Sequence, residues 1–333
     1  MHGVRRQKLT AEAQAVKHAR DQKKIEHYNG LVDAVFSVRS AGSLDIASLS
    51  KTRDVLKINP EFYTVWNCRR EQISAHLSEQ VLVDELSFVQ ECLLLFPKCY
   101  WIWNQRVWVL EAQETPNWSK ELSLVGKLLA RDGRNFHGWH YRRMVIAKLE
   151  AIHGSMTADE FDYTTAAIKK DFSNFSAWHN RTKLIPKYLN ENTSIDRRNF
   201  MNGELEMLRQ AMYTDPDDQS IWFYHRWVLT AGQIITLSVE DLTVLLKAEI
   251  EAIMELTEIE PDSKCDLHLY SLLITGCLHS LFYYRKYLAE VSDTKPGVNI
   301  IDYIDRLKTI DPMRRNRYCD FEKALHIESK ENQ

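Results

Sequence analysis

A lysine directly behind a proline is the residue of this sequence best placed to bind an anion. The pattern predicts that a helix begins just after Pro97, so Lys98 lies at its amino-terminal end. The first turn of a helix presents unpaired N–H groups and a positive dipole end, which both favour a negative group. An ammonium on a flexible stem can follow a phosphate as it moves. A lysine in a turn can equally be a solvated side chain, so position alone leaves both interpretations open.

The candidate for metal chemistry is His2. A histidine beside a free, flexible N-terminus is a competent zinc ligand, and a disordered terminal histidine is the alternative. The cysteines form no C-x-x-C pair, so the sequence indicates neither a zinc ribbon nor a thioredoxin-type redox site. Several cysteines lie in apolar helical contexts, where a reduced thiol behaves as a small hydrophobic group. Because the N-terminus also lacks a secretory signal, we expect a reducing, cytoplasmic compartment.

The segment that carries Lys98 is one copy of a repeat. Each copy has a tryptophan followed by an arginine three or four residues later. The tryptophans are separated by 37, 36, 39 and 44 residues, and they are Trp66, Trp103, Trp139, Trp178 and Trp222. A decayed copy is expected after Pro261, and a further one around Pro312. A period in this range is typical of a helical-repeat protein.

Each tryptophan is expected in the second helix of a helical hairpin. Apolar residues at helical spacing precede the motifs, as between Val81 and Leu94. A proline disfavours helix at the residue before it and is tolerated in the first turn of the next helix, so it marks the corner of the hairpin. The predicted fold is therefore all-α: a right-handed superhelical solenoid, or crescent, of antiparallel helical hairpins. We expect one domain over 1–333, with a short flexible N-terminus at 1–10, repeats over roughly 43–320 and a frayed C-terminus at 327–333.

Most of the repeated tryptophans and arginines are expected to be structural. Residues three apart share a helix face, so Trp103 and Arg106 stand together. A tryptophan can fill the wedge between stacked hairpins, while an arginine stem packs beside it and its head bonds helix-end carbonyls or acidic neighbours. Stacked hairpins also leave an extended concave face for a partner. On pattern alone, the sequence predicts a protein-binding helical-repeat protein.

Composition excludes some classes of function. The formal net charge of −3 gives no global attraction to nucleic acid or to anionic membranes. No stretch reaches the apolar length of a membrane span. The apolar fraction of 44% and the charged fraction of 27% are ordinary for a globular protein.

The motif is more specific than a general helical repeat. An aromatic residue, a spacer, tryptophan, a polar residue and paired arginines occur as Phe136-x-x-Trp139-His140-x-Arg142-Arg143. This pattern resembles the repeat of protein prenyltransferase α subunits, and the resemblance covers roughly residues 15–320. It implies an α-helical crescent wrapped around a β subunit in an obligate heterodimer. The β subunit is then expected to carry the catalytic zinc and most of the isoprenoid pocket.

The resemblance also assigns candidate site residues. Family residues near the leaving diphosphate match Lys98 and Tyr100 in one copy, and Arg134, Asn135 and His137 in the next. Lys98, Tyr100 and His137 are implied catalytic residues, and Lys98, Arg134, Asn135 and His137 are implied to lie near the diphosphate and isoprenoid. Two positions depart from the family pattern. Arginine replaces lysine at 134, and phenylalanine replaces tyrosine at 136, which weakens the expectation of polar contacts there.

Within the family, the chain is most similar to the branch that serves Rab (type II) geranylgeranyltransferase, in its compact fungal-type form. The charged opening without a proline-rich arm supports that branch. It implies geranylgeranyl diphosphate as the lipid donor, Rab GTPases as acceptors and an escort protein that delivers them. His2 is then a candidate cap for the zinc of the β subunit. The alternatives are the α subunit shared by farnesyltransferase and type I geranylgeranyltransferase, which act on C-a-a-X substrates, and a non-catalytic helical-repeat scaffold.

Overall fold

The computed structural model describes residues 10–215, 218–230, 237–258, 267–292 and 299–331, and helices dominate all of these segments. The first seven helices are α1 (Ala11–Ser40), α2 (Leu49–Ile58), α3 (Tyr63–Ala75), α4 (Glu79–Leu95), α5 (Tyr100–Ala112), α6 (Trp118–Arg131) and α7 (Phe136–His153). They are followed by α8 (Thr157–Lys170), α9 (Phe175–Glu191), α10 (Arg197–Thr214), α11 (Gln219–Thr230), α12 (Val239–Glu258), α13 (Leu267–Val291), α14 (Asn299–Ile310) and α15 (Arg315–Glu331). None of the described residues lies in a β-strand. The predicted all-α fold of helical hairpins is confirmed.

The chain divides into two compact units, Met1–Ile152 and His153–Gln333. The first contains α1 to α6 and nearly all of α7, and the second contains α8 to α15. The single domain expected from the sequence stays a prediction. The expected copy after Pro261 begins outside the described residues. The N-terminal segment 1–9, which includes His2, also lies outside them.

The indoles of four repeated tryptophans, Trp66, Trp103, Trp139 and Trp178, fix the corners of their hairpins. Trp103 Nε1 donates to the carbonyl oxygen of Pro97 at 2.9 Å, six residues earlier and in the turn that leads into α5. The same bond recurs for Trp66 to Pro60, Trp139 to Gly133 and Trp178 to Phe172, at 2.8, 2.8 and 2.7 Å. Each indole N–H therefore donates to a carbonyl in the turn, which the backbone N–H groups of the second helix do not use. Because the bond joins a fixed place in the turn to a fixed place in the helix, the spacing is six residues each time.

The repeated arginines join successive hairpins through buried ion pairs. Arg106 in α5 donates from Nε and Nη2 to Glu121 of α6, at 2.6 and 2.7 Å. It also donates to the carbonyl of Leu86 in α4, the first helix of its own hairpin, at 3.3 Å. The equivalent buried pairs are Arg69–Glu85 at 2.6 Å and Arg181–Glu204 at 2.5 Å. The predicted packing and hydrogen bonding of these arginines are confirmed.

A third side chain completes two of these pairs. The Tyr141 hydroxyl donates to Glu121 at 2.6 Å, and the Tyr224 hydroxyl donates to Glu204 at 2.5 Å. Each tyrosine lies two residues after the tryptophan of the next hairpin. Burial raises the pKa of Tyr141, which keeps the phenol protonated as a donor. Each triad of arginine, glutamate and tyrosine therefore joins the helices of two successive hairpins.

The fifth motif departs from the pattern expected for it. His225, three residues after Trp222, takes the place of the arginine and pairs with Glu249 of α12 at 2.8 Å. Arg209 of α10 also contacts that carboxylate, and the Tyr284 hydroxyl lies 2.7 Å from His225 Nδ1. The motif arginine Arg226 points elsewhere, over the ring of Tyr283 in α13. A buried glutamate of the next hairpin again forms this joint, but a histidine replaces the arginine, and the tyrosine contacts the histidine instead of the glutamate.

A glycine in α13 lies against one of the repeated tryptophans. A Cβ built at Gly276 would be 2.8 Å from Trp222 Nε1 and 2.9 Å from Cε2. We expect Gly276→Ala to lower the free energy of unfolding by ~1–3 kcal/mol, because the packed indole ring has no room to move. Urea unfolding of the full chain measures the effect. The matched control is Gly203→Ala within α10, where nothing lies within 4 Å. It should raise stability by ~0.5–1 kcal/mol through helix propensity. A Gly276→Ala protein as stable as wild type would contradict this packing.

Within the described segments, no helix is long and apolar enough to cross a membrane. The described cysteines are all free thiols. Burial raises the pKa of Cys92 and Cys277 to about 12, so these thiols stay protonated at neutral pH. They act as core side chains, as the sequence predicted.

Candidate functional site

The candidate residues predicted from the sequence lie at the starts of two neighbouring helices. Lys98 and Tyr100 lie where α5 begins, and Arg134, Asn135 and His137 lie where α7 begins. We call these five residues the amino-terminal ledge. The two turns lie side by side, because Asn135 Nδ2 donates to the Pro97 carbonyl at 3.0 Å. The structure therefore brings together residues that are separated by almost forty positions in the sequence.

Asn135 holds the ledge together. Its side chain is only 5% exposed. Its Oδ1 accepts hydrogen bonds from the backbone N–H groups of His137 and Gly138, at 3.0 and 3.2 Å, which caps the start of α7. All the hydrogen bonds that the structure gives this amide go to backbone groups. Asn135 therefore positions the turn and its neighbours.

Lys98 is an exposed cation of the ledge. Its side chain is 74% exposed, and its Nζ lies 3.3 Å from Asp132 Oδ2. The other oxygen of Asp132 accepts the backbone N–H of Arg134 at 3.2 Å. An exposed ion pair of this kind contributes little to stability, so a stronger anion can replace the aspartate at small cost. The Lys98 ammonium is available to a phosphate that enters the ledge.

Tyr100 and His137 face each other across the two helix starts. Their ring centroids are 6.1 Å apart, and Tyr100 is 55% exposed. Burial lowers the pKa of His137, and a hydrogen bond with the Lys98 backbone partly opposes that shift. Because a histidine ordinarily titrates near pH 6.5, His137 is mostly neutral at pH 7, and its single N–H donates to the Lys98 backbone.

Aromatic rings extend the ledge on both sides, and two of them, Tyr63 and Trp101, were not predicted to belong to it. Phe136 is 67% exposed and lies over His137, with centroids 3.9 Å apart. Trp101 contacts both Tyr100 and Tyr63, at 5.5 and 5.3 Å. The available signal was the aromatic residue three before each of the first four repeated tryptophans, which is the first residue of α3, α5, α7 and α9. Exposed rings beside a cation suit a molecule with an apolar chain and an anionic head.

The remaining predicted residues have simpler placements. Arg134 is exposed at the turn before α7. His2 lies outside the described residues. Over the described part of the chain, no three side chains of histidine, cysteine, aspartate or glutamate come together as a metal site.

Comparison with known proteins identifies the repeat and the family of the chain. A family model described as "Protein prenyltransferase alpha subunit repeat" matches residues 82–113, 118–149, 157–188 and 201–232. These segments coincide with the hairpins α4–α5, α6–α7, α8–α9 and α10–α11. Over 96% of its length, the chain is 37% identical to a Candida albicans protein named geranylgeranyl transferase type-2 subunit alpha, of which it covers 96%. The chain belongs to the family of geranylgeranyl transferase type-2 alpha subunits.

Other relatives of this family share different lengths with the chain. A Schizosaccharomyces pombe protein of the same name is 37% identical over 98% of the chain and 99% of its own length. A Rattus norvegicus protein of that name is 39% identical, and the match covers 69% of the chain but 42% of the rat protein. A Candida albicans protein geranylgeranyltransferase-I structure in complex with GGPP shares the fold, with a TM-score of 0.65, 20% identity and coverage of 90% and 91%.

Proposed function

We propose that this chain is the α subunit of a heterodimeric Rab geranylgeranyltransferase. It supports transfer of a geranylgeranyl group from geranylgeranyl diphosphate to the C-terminal cysteines of Rab proteins. The family membership supports the type of enzyme. The observation that carries a role in the reaction is the ledge, where Lys98, Tyr100 and His137 meet at two helix starts.

The ledge would act on the leaving diphosphate. Negative charge develops on the diphosphate as its bond to the isoprenoid breaks, and donors placed at that charge lower the barrier. Lys98 would leave Asp132 and pair with the diphosphate, while the N–H groups at the start of α5 add their dipole. The Tyr100 hydroxyl would donate a hydrogen bond, and the His137 imidazole would exchange its bond with the Lys98 backbone for one to the diphosphate. The Phe136 ring would face the first isoprene units.

The remaining parts of the reaction are proposed to come from a β subunit. Zinc, as Lewis acid, would supply an activated cysteine thiolate. The described residues of this chain offer no matching ligand set, so we place no zinc-dependent step on them. The exposed rings of Tyr100 and Phe136 fit a surface that a partner covers. An escort protein would present the Rab in the cytoplasm.

Reconstitution tests this function. The full chain is co-expressed with a type-2 β subunit, and labelled geranylgeranyl transfer to a Rab is measured with and without escort protein. We expect a stable heterodimer whose transfer requires the escort protein, and no transfer from the α chain alone. Direct labelling of a short C-a-a-X peptide would instead place the chain in the farnesyl and type I branch. Transfer by the α chain without a β subunit would refute the proposal that the β subunit supplies the zinc-dependent part of the reaction.

A further inference from the structure

A notch in the second unit brings cationic side chains together without an equal number of carboxylates. It is formed by helices α11, α13 and α15, far along the chain from the ledge. We call it the arginine notch, and its side chains are Arg226 of α11, His279 and Tyr283 of α13, and Arg317 and Phe321 of α15. Arg226 stands one residue after the joint residue His225, as Arg70 stands after Arg69, and both guanidinium groups lie over an aromatic ring of the following hairpin. Arg70 Nε also donates to Gln105, whereas Arg226 Nε has no partner among the described residues.

Aromatic rings form the walls of the notch. The Arg226 guanidinium lies 4.3 Å from the centroid of Tyr283, and the Arg317 guanidinium lies 5.5 Å from that of Phe321. The two rings are 5.7 Å apart, in an edge-to-face arrangement. Guanidinium groups over aromatic faces are held by cation–π attraction and keep their N–H donors free.

Two nitrogen atoms of the notch are buried without a hydrogen-bond partner. One is Nε2 of His279, whose residue is only 9% exposed, and the other is Nε of Arg226. A buried donor left unsatisfied costs free energy, and such atoms in a native fold need an explanation. A ligand that enters the notch and accepts hydrogen bonds from both would provide one.

The charge around His279 is unbalanced. Arg226, Arg317 and Arg314 all act on its imidazole, and the carboxylate that opposes them there is Asp311. Asp311 already accepts hydrogen bonds from Arg314 at 2.9 Å and from the Tyr318 hydroxyl at 2.5 Å. Three guanidinium groups and one carboxylate leave an excess of two positive charges. Burial first, and these arginines next, lower the pKa of His279 to about 4, so its ring is neutral at pH 7.

We propose that the arginine notch binds a phosphate-type dianion. The excess of two positive charges matches the charge of a phosphate, which is about −1.5 to −2 at neutral pH. The planar forks of Arg226 and Arg317 suit phosphate oxygens, and the neutral His279 ring can donate Nε2–H from the floor. Arg317 is exposed, so the anion enters from solvent. The ligand is either a free phosphate or diphosphate, or a phosphate monoester whose organic group packs on Tyr283 and Phe321.

Calorimetric titration of the full chain tests this site. The protein carries Lys98→Ala, so that the ledge does not contribute, and the probes are inorganic phosphate, inorganic diphosphate, phenyl phosphate and benzoate. We expect saturable binding of the phosphates, weakened at least ~10-fold by Arg226→Gln and by Arg317→Gln, because each change removes a charge-assisted donor. Tighter binding of phenyl phosphate than of inorganic phosphate identifies a monoester ligand. The reverse order identifies a free anion.

The matched control is Arg315→Gln, also on α15. Arg315 is exposed and forms no ion pair with a described residue, so the change removes the same charge without touching the notch. The affinity of the Arg315→Gln protein for the phosphates should stay within ~2-fold of wild type. An equal loss of phosphate affinity in Arg315→Gln and Arg317→Gln would show that general charge attraction, and not a specific site, binds the anion. Tighter binding of benzoate than of the phosphates, or no saturation by about 10 mM, also overturns the proposal. Because Arg317 is exposed, its variant tests the site even where Arg226→Gln lowers stability.

Discussion

Replacing Lys98 with alanine is expected to slow geranylgeranyl transfer by ~10- to 100-fold, a loss of ~1–3 kcal/mol of transition-state stabilisation. The ammonium is exposed and held only by a surface ion pair with Asp132, so its removal should leave the fold unchanged. Its effect should therefore appear in the chemical step. The rate of a single turnover with saturating substrates measures it directly, and the yield of heterodimer shows that assembly is intact.

The control for Lys98 is Lys127→Ala in α6. Lys127 is exposed and forms no ion pair within the described residues. Its replacement by alanine therefore removes the same charge from a different surface of the same unit. Its single-turnover rate should match that of wild type. An unchanged rate in Lys98→Ala would remove the ledge from the reaction and favour a scaffold role for this chain.

Arg106→Ala is expected to lower the free energy of unfolding by ~3–5 kcal/mol. The change leaves Glu121 buried with its charge uncompensated, and it also removes the hydrogen bond to the Leu86 carbonyl. Tyr141 still donates to that glutamate, but one neutral donor does not replace a guanidinium. Urea unfolding of the full chain at neutral pH measures the loss.

An exposed ion pair provides the comparison for Arg106. Arg53 donates to Glu91 at 3.0 Å, and both side chains are well exposed. Arg53→Ala should cost ~0–1 kcal/mol, because water replaces the lost partner. If Arg106→Ala were as mild as Arg53→Ala, the buried pairs would not be what joins the hairpins.

The sequence predicted the arginines but missed their partners. Arg69, Arg106 and Arg181 stand at a constant three residues after a tryptophan, since both lie on one helix face. The glutamates lie 16, 15 and 23 residues further on, because the intervening turns and helices differ in length. A search for periodicity therefore finds the constant spacing from tryptophan to arginine, but it does not find the variable spacing from arginine to glutamate.

The candidate site shows the same division. The position of Lys98 at a helix start was predictable, because where a helix begins depends on residues that adjoin it in the chain. Tyr63 joins the same surface through Trp101, a contact between different hairpins. The capping role of Asn135 for α7 is also local, but its bond to the Pro97 carbonyl depends on the placement of the preceding hairpin.

The sequence by itself determined the all-α repeat, the position of each repeated tryptophan in the second helix of its hairpin and the position of Lys98 at a helix start, because each depends on residues within one or two helical turns. Only the tertiary structure decided which carboxylate neutralises each buried arginine, and that His225 forms the fifth joint. It also decided that Arg226, His279 and Arg317 share a notch, although they come from three helices. These outcomes depend on the register and angle of packed helices, which are set by side chains far apart in the chain.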